Sequence, residues 1–443
     1  MLSKPIGNRP SGVNGGPSRR QLLAAAGAGG LALSLGGRGA FAAGAENVLK
    51  IGFISPRTGA LAGFGETDGY VLELARKALA GGLTVGGKTY EVQILDRDTQ
   101  SDPSRASQLA KTLINSDQVD LMLPISTPET INPVADACEA AGVPCLSTVM
   151  PWEAWYFGRG GKPGQPSPFK WTYHFGFGGG EFFKAYVSLW NSLETNKKVG
   201  VLYPNDADGN AIRENLAPAL AKAGFTIIDP GPYEDGTTDY SAQIATFKKE
   251  KCEIFNTFPI PPDFAAFWRQ AAQQGYTKMV KIAQIAKTGL FPSQVDSLGD
   301  LGFNLSSAAY WHKAFPYKSS LTGVSGPEIA DGYEKSSGKQ WTQQLGATMA
   351  LFDAGIAALK ASADPKAKDG VAKSLGSLNT VTMGGKVDFT SGPFPNISPG
   401  PIIGAQWVKA KAGSKFKLDF LVTEHATDPN VPIEAKLVDY NQK

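Results

Sequence analysis

Val48 to Gly65 reads VLKIGFISPRTGALAGFG, a short apolar run that passes directly into a turn of small residues. Val48 to Ile54 has the composition of an interior strand of a parallel sheet, and Ser55, Pro56, Gly59, Gly63 and Gly65 end it. Tyr70, Leu72, Leu74, Ala75 and Leu79 then recur near helical spacing. Strand, turn and helix in that order place the turn at the carboxyl edge of a sheet, where open α/β folds bind ligands on exposed N–H groups and helix N-termini. The same order also describes an ordinary strand-to-helix connection.

Working outward, the unit repeats. Strands are expected at Val119 to Ile125, Val143 to Leu146, Val199 to Tyr203, Ile254 to Phe258 and Met279 to Ile285, with helical patterns between them. Such alternation means parallel sheets covered on both faces, the α/β class. Thr84 to Tyr90 reads as a hairpin turning on Gly86-Gly87. Gly82 to Thr89 also satisfies the pattern G-x-x-x-x-G-K-[ST], but a helix precedes it and a strand follows, the reverse of what phosphate binding at a helix N-terminus needs. Asp206-x-Asp208 lacks the further positions of a calcium loop and reads as a helix cap.

The first forty-odd residues read as an export leader. Arg19 and Arg20 precede an apolar run from Leu22 to Leu35, and Ala40-Phe41-Ala42 is an A-x-A cleavage site. The paired arginines point to the twin-arginine route. Five basic and no acidic residues lie in positions 1–42, so cleavage after Ala42 changes the formal charge from +3 to −2. A near-neutral mature chain argues against nucleic-acid binding. No later stretch is apolar for long enough to be embedded in a membrane. His174, His312 and His425 are isolated, so neither a metal nor a cofactor is expected. Cys138 and Cys145 flank a chain reversal that permits a disulfide, though burial as free thiols suits them equally; Cys252 is expected to be buried.

Ile51-Gly52-Phe53 followed by Ser55-Pro56-x-Thr58-Gly59-x-Leu61-Ala62-x-Phe64-Gly65 resembles the opening of the periplasmic solute-binding proteins that serve branched-chain amino-acid-type ABC transporters. The resemblance implies a type 1 periplasmic binding fold: two doubly wound parallel-sheet α/β lobes, joined by three hinge crossings, that close on a small molecule. It places a leader at 1–42, the first lobe at 43–174 and 310–385, and the second at 175–309 and 386–443. It implies a monomer in the periplasm, partnered by a membrane permease. It also implies that small hydroxyl-bearing turns beside the opening turn hold a ligand carboxylate. Ser126, Thr127, Thr148 and the Val149 backbone occupy that region, although capping of the following helix explains the two earlier hydroxyls as well.

The remaining candidates come from the other strand ends. Phe64 lies in the opening turn. Trp152 leads the aromatic group Trp152, Trp155, Tyr156 and Phe157, which either stacks on a flat ligand or packs beneath the loop Gly158 to Pro168. Phe258, Pro259, Gln284 and Lys287 end strands that face the first lobe, and Trp311 falls near the second crossing. Amino-acid binders of the family place a carboxylate near Lys287. A lysine there favours an anion over an ammonium, unless it lies off the site in solvent. Trp152, Lys287 and Trp311 together point to an aromatic or other hydrophobic organic acid over a branched-chain amino acid. A ligand-presenting sensor subunit and an exported α/β hydrolase are the rival readings.

Overall fold

The computed structural model describes residues 47–259 and 261–442. The expected leader and its cleavage site lie outside these residues. Two seven-stranded sheets organise the chain. The first takes β1 (Val48–Ser55), β2 (Leu83–Val85), β3 (Lys88–Asp98), β4 (Leu121–Pro124), β5 (Cys145–Ser147) and β6 (Thr172–Gly176). The second takes β7 (Lys198–Leu202), β8 (Thr226–Ile228), β9 (Ile254–Thr257), β10 (Ile282–Ile285) and β11 (Leu305–Ala309). The return adds a separate hairpin, β12 (Asn379–Thr382) and β13 (Gly385–Asp388), then β14 (Ile397–Pro399), β15 (Ile403–Lys409) and β16 (Leu418–Glu424).

The orders β14-β6-β5-β4-β1-β3-β2 and β16-β15-β11-β10-β9-β7-β8 are those of two doubly wound lobes. Pairing is parallel except at the edges, where β2 meets β3 and where β11, β15 and β16 meet antiparallel. β1 runs between β3 and β4, so Leu49, Ile51, Phe53 and Ile54 are wholly buried, as a strand covered on both faces requires. The β2–β3 hairpin turns on Gly86 and Gly87 at φ of 57° and 82°, the left-handed pair that such a turn needs. That geometry answers the phosphate-loop pattern.

The chain leaves the first sheet after β6, returns after β11 and crosses again after β14. β14 pairs with β6, so residues 386–399 stay with the first sheet. The third crossing is therefore Gly400–Ile402, later than the boundary expected at 386. A strand of three residues following a Gly/Pro-rich loop carries too little periodicity to be seen in sequence. The C-terminal stretch, which has no sequence signature, supplies edge strand β16 and then lies over the second lobe. There Tyr440 is buried and its hydroxyl accepts from Trp268 Nε1 at 3.1 Å.

The helix Gln343–Ala361 is buried nearly throughout and packs on the first sheet. Trp311 is fully buried there, donating from its indole to Met383 O at 3.2 Å and meeting Trp341 edge-on. It is a core residue, and its expected place among ligand contacts is corrected. A Cβ on Gly346 would lie 2.0 Å from the Trp311 ring. Gly346→Ala is therefore expected to cost about 1–3 kcal/mol through overpacking, read as a lowered urea midpoint with unchanged m-value; an unaltered midpoint would show that this helix contact yields freely.

Candidate functional site

All three crossings meet at the floor of the cleft between the lobes. Phe177 follows β6, Tyr310 follows β11, and their rings stack with centroids 5.3 Å apart and planes 20° from parallel. The third crossing lies against the first, Gly400 N–H donating to Gly176 O at 2.8 Å. At the lip, Phe64 of the first lobe meets Phe291 of the second edge-on at 5.1 Å. The opening turn is held from within the protein: Asp98 accepts from Arg57 N–H, Thr58 N–H and the Thr58 hydroxyl. Its second half, from Ala60 to Phe64, reaches the cleft.

Two turns form the first-lobe wall. Ser126, Thr127 and Val149 have φ of 67°, 74° and 71°, a region that non-glycine residues rarely occupy and that concentrates at functional sites. The turns are zipped together, Ser126 N–H to Thr148 O at 3.3 Å and Thr127 N–H to Val149 O at 3.2 Å. Thr127 sits at the N-terminus of the helix Pro128–Ala141, and its buried Oγ1 has no protein partner. Ser126 points away: its hydroxyl donates to Gln344 Oε1 at 3.3 Å, and Gln344 Nε2 in turn donates to the Tyr310 hydroxyl.

Lys287 faces the cleft from the second lobe but is not a free cation. Its ammonium lies 2.9 Å from Asp208 and 3.5 Å from Asp206. Burial pulls its pKa down, and the two carboxylates outweigh that and hold it above the ordinary lysine value. Asp206 also caps the helix Ala207–Ala211 through Gly209 N–H, as its spacing implied. The carboxylate that does stand unbalanced is Glu153. One oxygen accepts from Gly179 N–H at 2.8 Å across the first crossing, and the other is buried without a partner. Burial, aided by the charge of Glu181, lifts its pKa to about 7 against the amide hydrogen bonds that lower it.

A cavity of about 470 Å3 fills the cleft. Of the expected contacts, Phe64, Thr127, Val149, Phe258 and Lys287 line it. Ser126, Thr148, Trp152, Pro259, Gln284 and Trp311 do not. Trp152 packs on Phe157 and Phe394 beneath the loop, the packing reading that the aromatic run left open. Gln284 is buried inside the second lobe, below the strand end. Sequence reasoning missed Glu153, Phe177, Phe182, Ile212 and Tyr310; the run FGFGGGEFF at 175–183 was the available signal for two of them.

The residue pattern of the family described as periplasmic binding protein matches residues 48–409. The chain belongs to that family. Solved structures similar to this binding protein include a leucine binding protein of Thermotoga maritima (19% identical, TM-score 0.66, 86% of this chain and 99% of that one). A second is the branched-chain amino acid binding protein of Streptococcus pneumoniae with isoleucine (17%, 0.62, 88% and 99%). A third is a solute binding protein of Rhodopseudomonas palustris with 3,4-dihydroxybenzoic acid (19%, 0.66, 87% and 99%). A curated relative, an uncharacterised protein of Methanocaldococcus jannaschii, is 25% identical over 45% of this chain, and the match spans about half (47%) of that relative's length.

Other chemistry-bearing groups of the binding protein are accounted for in its core. Ser147 Oγ lies 2.9 Å from His174 Nδ1, a pair that resembles a nucleophile and base, but both residues are fully buried and His174 Nε2 donates to Met150 O. Burial drops the His174 pKa to about 3, so the ring is neutral. Cys138, Cys145 and Cys252 are buried free thiols. Among the described residues no helix is long and apolar enough to cross a membrane, and no His/Cys/Asp/Glu group has a metal-binding arrangement.

Glu153 makes stability depend on pH. Its folded pKa of about 7 lies above the ordinary 4.5, so between those values the folded state holds a proton that the unfolded chain has released. Its contribution is thus greatest below about pH 4.5 and is lost as pH rises through 7. Glu153→Gln should flatten this part of the melting-temperature profile between pH 5 and 8. Asp68, raised to about 6 mainly by burial, titrates in both proteins and cancels. Parallel profiles would assign the titration to other groups.

Proposed function

We propose that the chain is the solute-binding component of an ABC importer, exported to the periplasm, which closes its lobes on a hydrophobic, aromatic-bodied carboxylic acid and delivers it to a membrane permease. The observation that carries this reading is the cavity wall. Phe64, Val149, Phe177, Phe182, Phe258 and Leu290 surround a cleft of about 470 Å3, and such a lining rewards apolar area at about 25 cal/mol per Å2. The carboxylate is assigned to the Thr127 hydroxyl and the N-terminus of Pro128–Ala141, since donors at a helix start suit an anion. Lys287 is too fully matched by Asp206 and Asp208 to serve as the main anion site. The R. palustris structure with dihydroxybenzoic acid gives the fold a precedent for such a ligand.

A second reading, a hydrophobic amino acid, is favoured by one observation: the unpartnered Glu153 oxygen on the cavity wall suits an ammonium. Calorimetry on protein freed of ligand by unfolding and refolding separates the two. Benzoate and 3-phenylpropanoate are expected to bind, and Glu153→Gln to tighten them by severalfold by removing a like charge. At ligand about 100 times Kd the melting point should rise by several degrees, equivalent to about 2.7 kcal/mol. Tight binding of phenylalanine or leucine that Glu153→Gln weakens tenfold or more would establish the amino-acid reading instead. Binding of neither class would overturn both.

A further inference from the structure

The cavity does not end at the contacts a small acid would make. Beyond the cleft its wall continues along one side of the helical segment 207–222. Asp208, Ala211, Ile212, Asn215, Leu216 and Ala219 all line it, and their spacing of three, one, three, one and three residues is a single helical stripe. From Asp208 to Ala219 is eleven residues, about 16 Å at the helical rise, well beyond the reach of a single-ring acid. The helix is specialised in the middle of this stripe. Ile212–Leu216 is a π-helical turn, an irregularity that recurs at functional sites, and Asn215 Nδ2 donates to Ala211 O at 2.8 Å beside it.

What faces the stripe is apolar and incompletely covered. Phe182 and Phe183 on the first turn of the helix Gly179–Asn191 border the same cavity, as do Pro151 and Ala154 of the first lobe. Phe182, Phe183 and Ile212 remain only partly buried. The groove is continuous with the cleft, so its occupant is most simply the remainder of the molecule held there.

We infer that the ligand is elongated: an amphipathic carboxylic acid whose polar end lies at the cleft and whose apolar tail runs along the Asp208–Ala219 stripe. This rests on the carboxylate reading for the polar end alone; the tail groove stands on the stripe and its apolar cover. The test is a calorimetric series of benzoate, 4-butylbenzoate and 4-octylbenzoate, repeated with 4-butyl- and 4-octylbenzylamine, on refolded protein. Each buried methylene should tighten binding about threefold to fourfold. Ala211→Trp, close to the cleft, should abolish the gain from both tails. Ala219→Trp, at the far end, should remove the advantage of octyl over butyl by tenfold or more and leave butyl ahead of benzoate. Both positions have solvent-accessible side chains, and unchanged melting temperatures would show that the variants fold.

Affinity independent of tail length, or octyl binding equally tight in both variants and the parent, overturns the tail groove. Tail dependence seen with the amines and not the acids upholds the groove and overturns the carboxylate end. Failure of every member of both series overturns the two together.

Discussion

The structure depends on three connections packing against one another in one place. The chain passes between the two lobes in three segments, at Phe177, Tyr310 and Gly400. The Phe177–Tyr310 stack and the Gly400–Gly176 hydrogen bond tie these segments into one floor. The same floor is the bottom of the cavity. Anything that moves the lobes must therefore repack the residues that a bound molecule touches, and this is how a hinge and a binding site become one device.

Charge in the cleft is arranged by the cost of desolvation. A lysine with an unmatched ammonium at this depth would pay heavily in lost hydration, and the fold meets that by bringing Asp206 and Asp208 from the end of β7, two strands away from β10 across β9. Read as an isolated residue, Lys287 promised an anion site; read with its partners, it helps to shape the wall. Glu153 reaches a different solution. With no cation beside it, it is stabilised by the Gly179 amide and by holding its proton to about pH 7. Sequence spacing contains neither fact, since Asp206 and Lys287 are 81 residues apart.

The fold was legible because its signals are local. Apolar runs ended by Gly, Ser and Pro placed the interior parallel strands of both sheets within about three residues, while edge strand β16 left no such signal. β14 was not legible, because three residues paired with β6 carry no period of their own. The site was legible only in part, for a geometric reason. The chain turns sharply beyond these strand ends, where Ser126, Thr127 and Val149 take left-handed φ, so an uncertainty of one residue exchanges a cavity contact for a core one. Thr127 and Val149 face the cleft while their neighbours Ser126 and Thr148 do not. Trp311 shows the other failure: a large aromatic beside a hinge is worth most to the core, and Gly346 is kept small to receive it.

In the proposed role the energetics of closure follow from the lip. The Phe64–Phe291 edge contact joins the lobes across the cleft, and an aromatic pair contributes about 0.5–1.5 kcal/mol beyond the area it buries. That contact alone is a factor of roughly two to thirteen toward the closed arrangement, less than a complete shift requires. A molecule lying between Val149 on one lobe and Phe258 and Leu290 on the other gains its full contact only when both walls are near. Its differential affinity, set by buried apolar area, must then supply the rest of the shift, and a shift from mostly open to mostly closed takes about 5.5 kcal/mol. At about 25 cal/mol per Å2 that corresponds to roughly 220 Å2 of apolar surface contacted in the closed form alone. A benzoate-sized ring carries about that much apolar surface in all, so it reaches the full shift only if nearly all of that surface is contacted in the closed form alone. A body with a tail extending toward Ala219 has enough, so the length of the groove and the strength of closure point to the same kind of ligand.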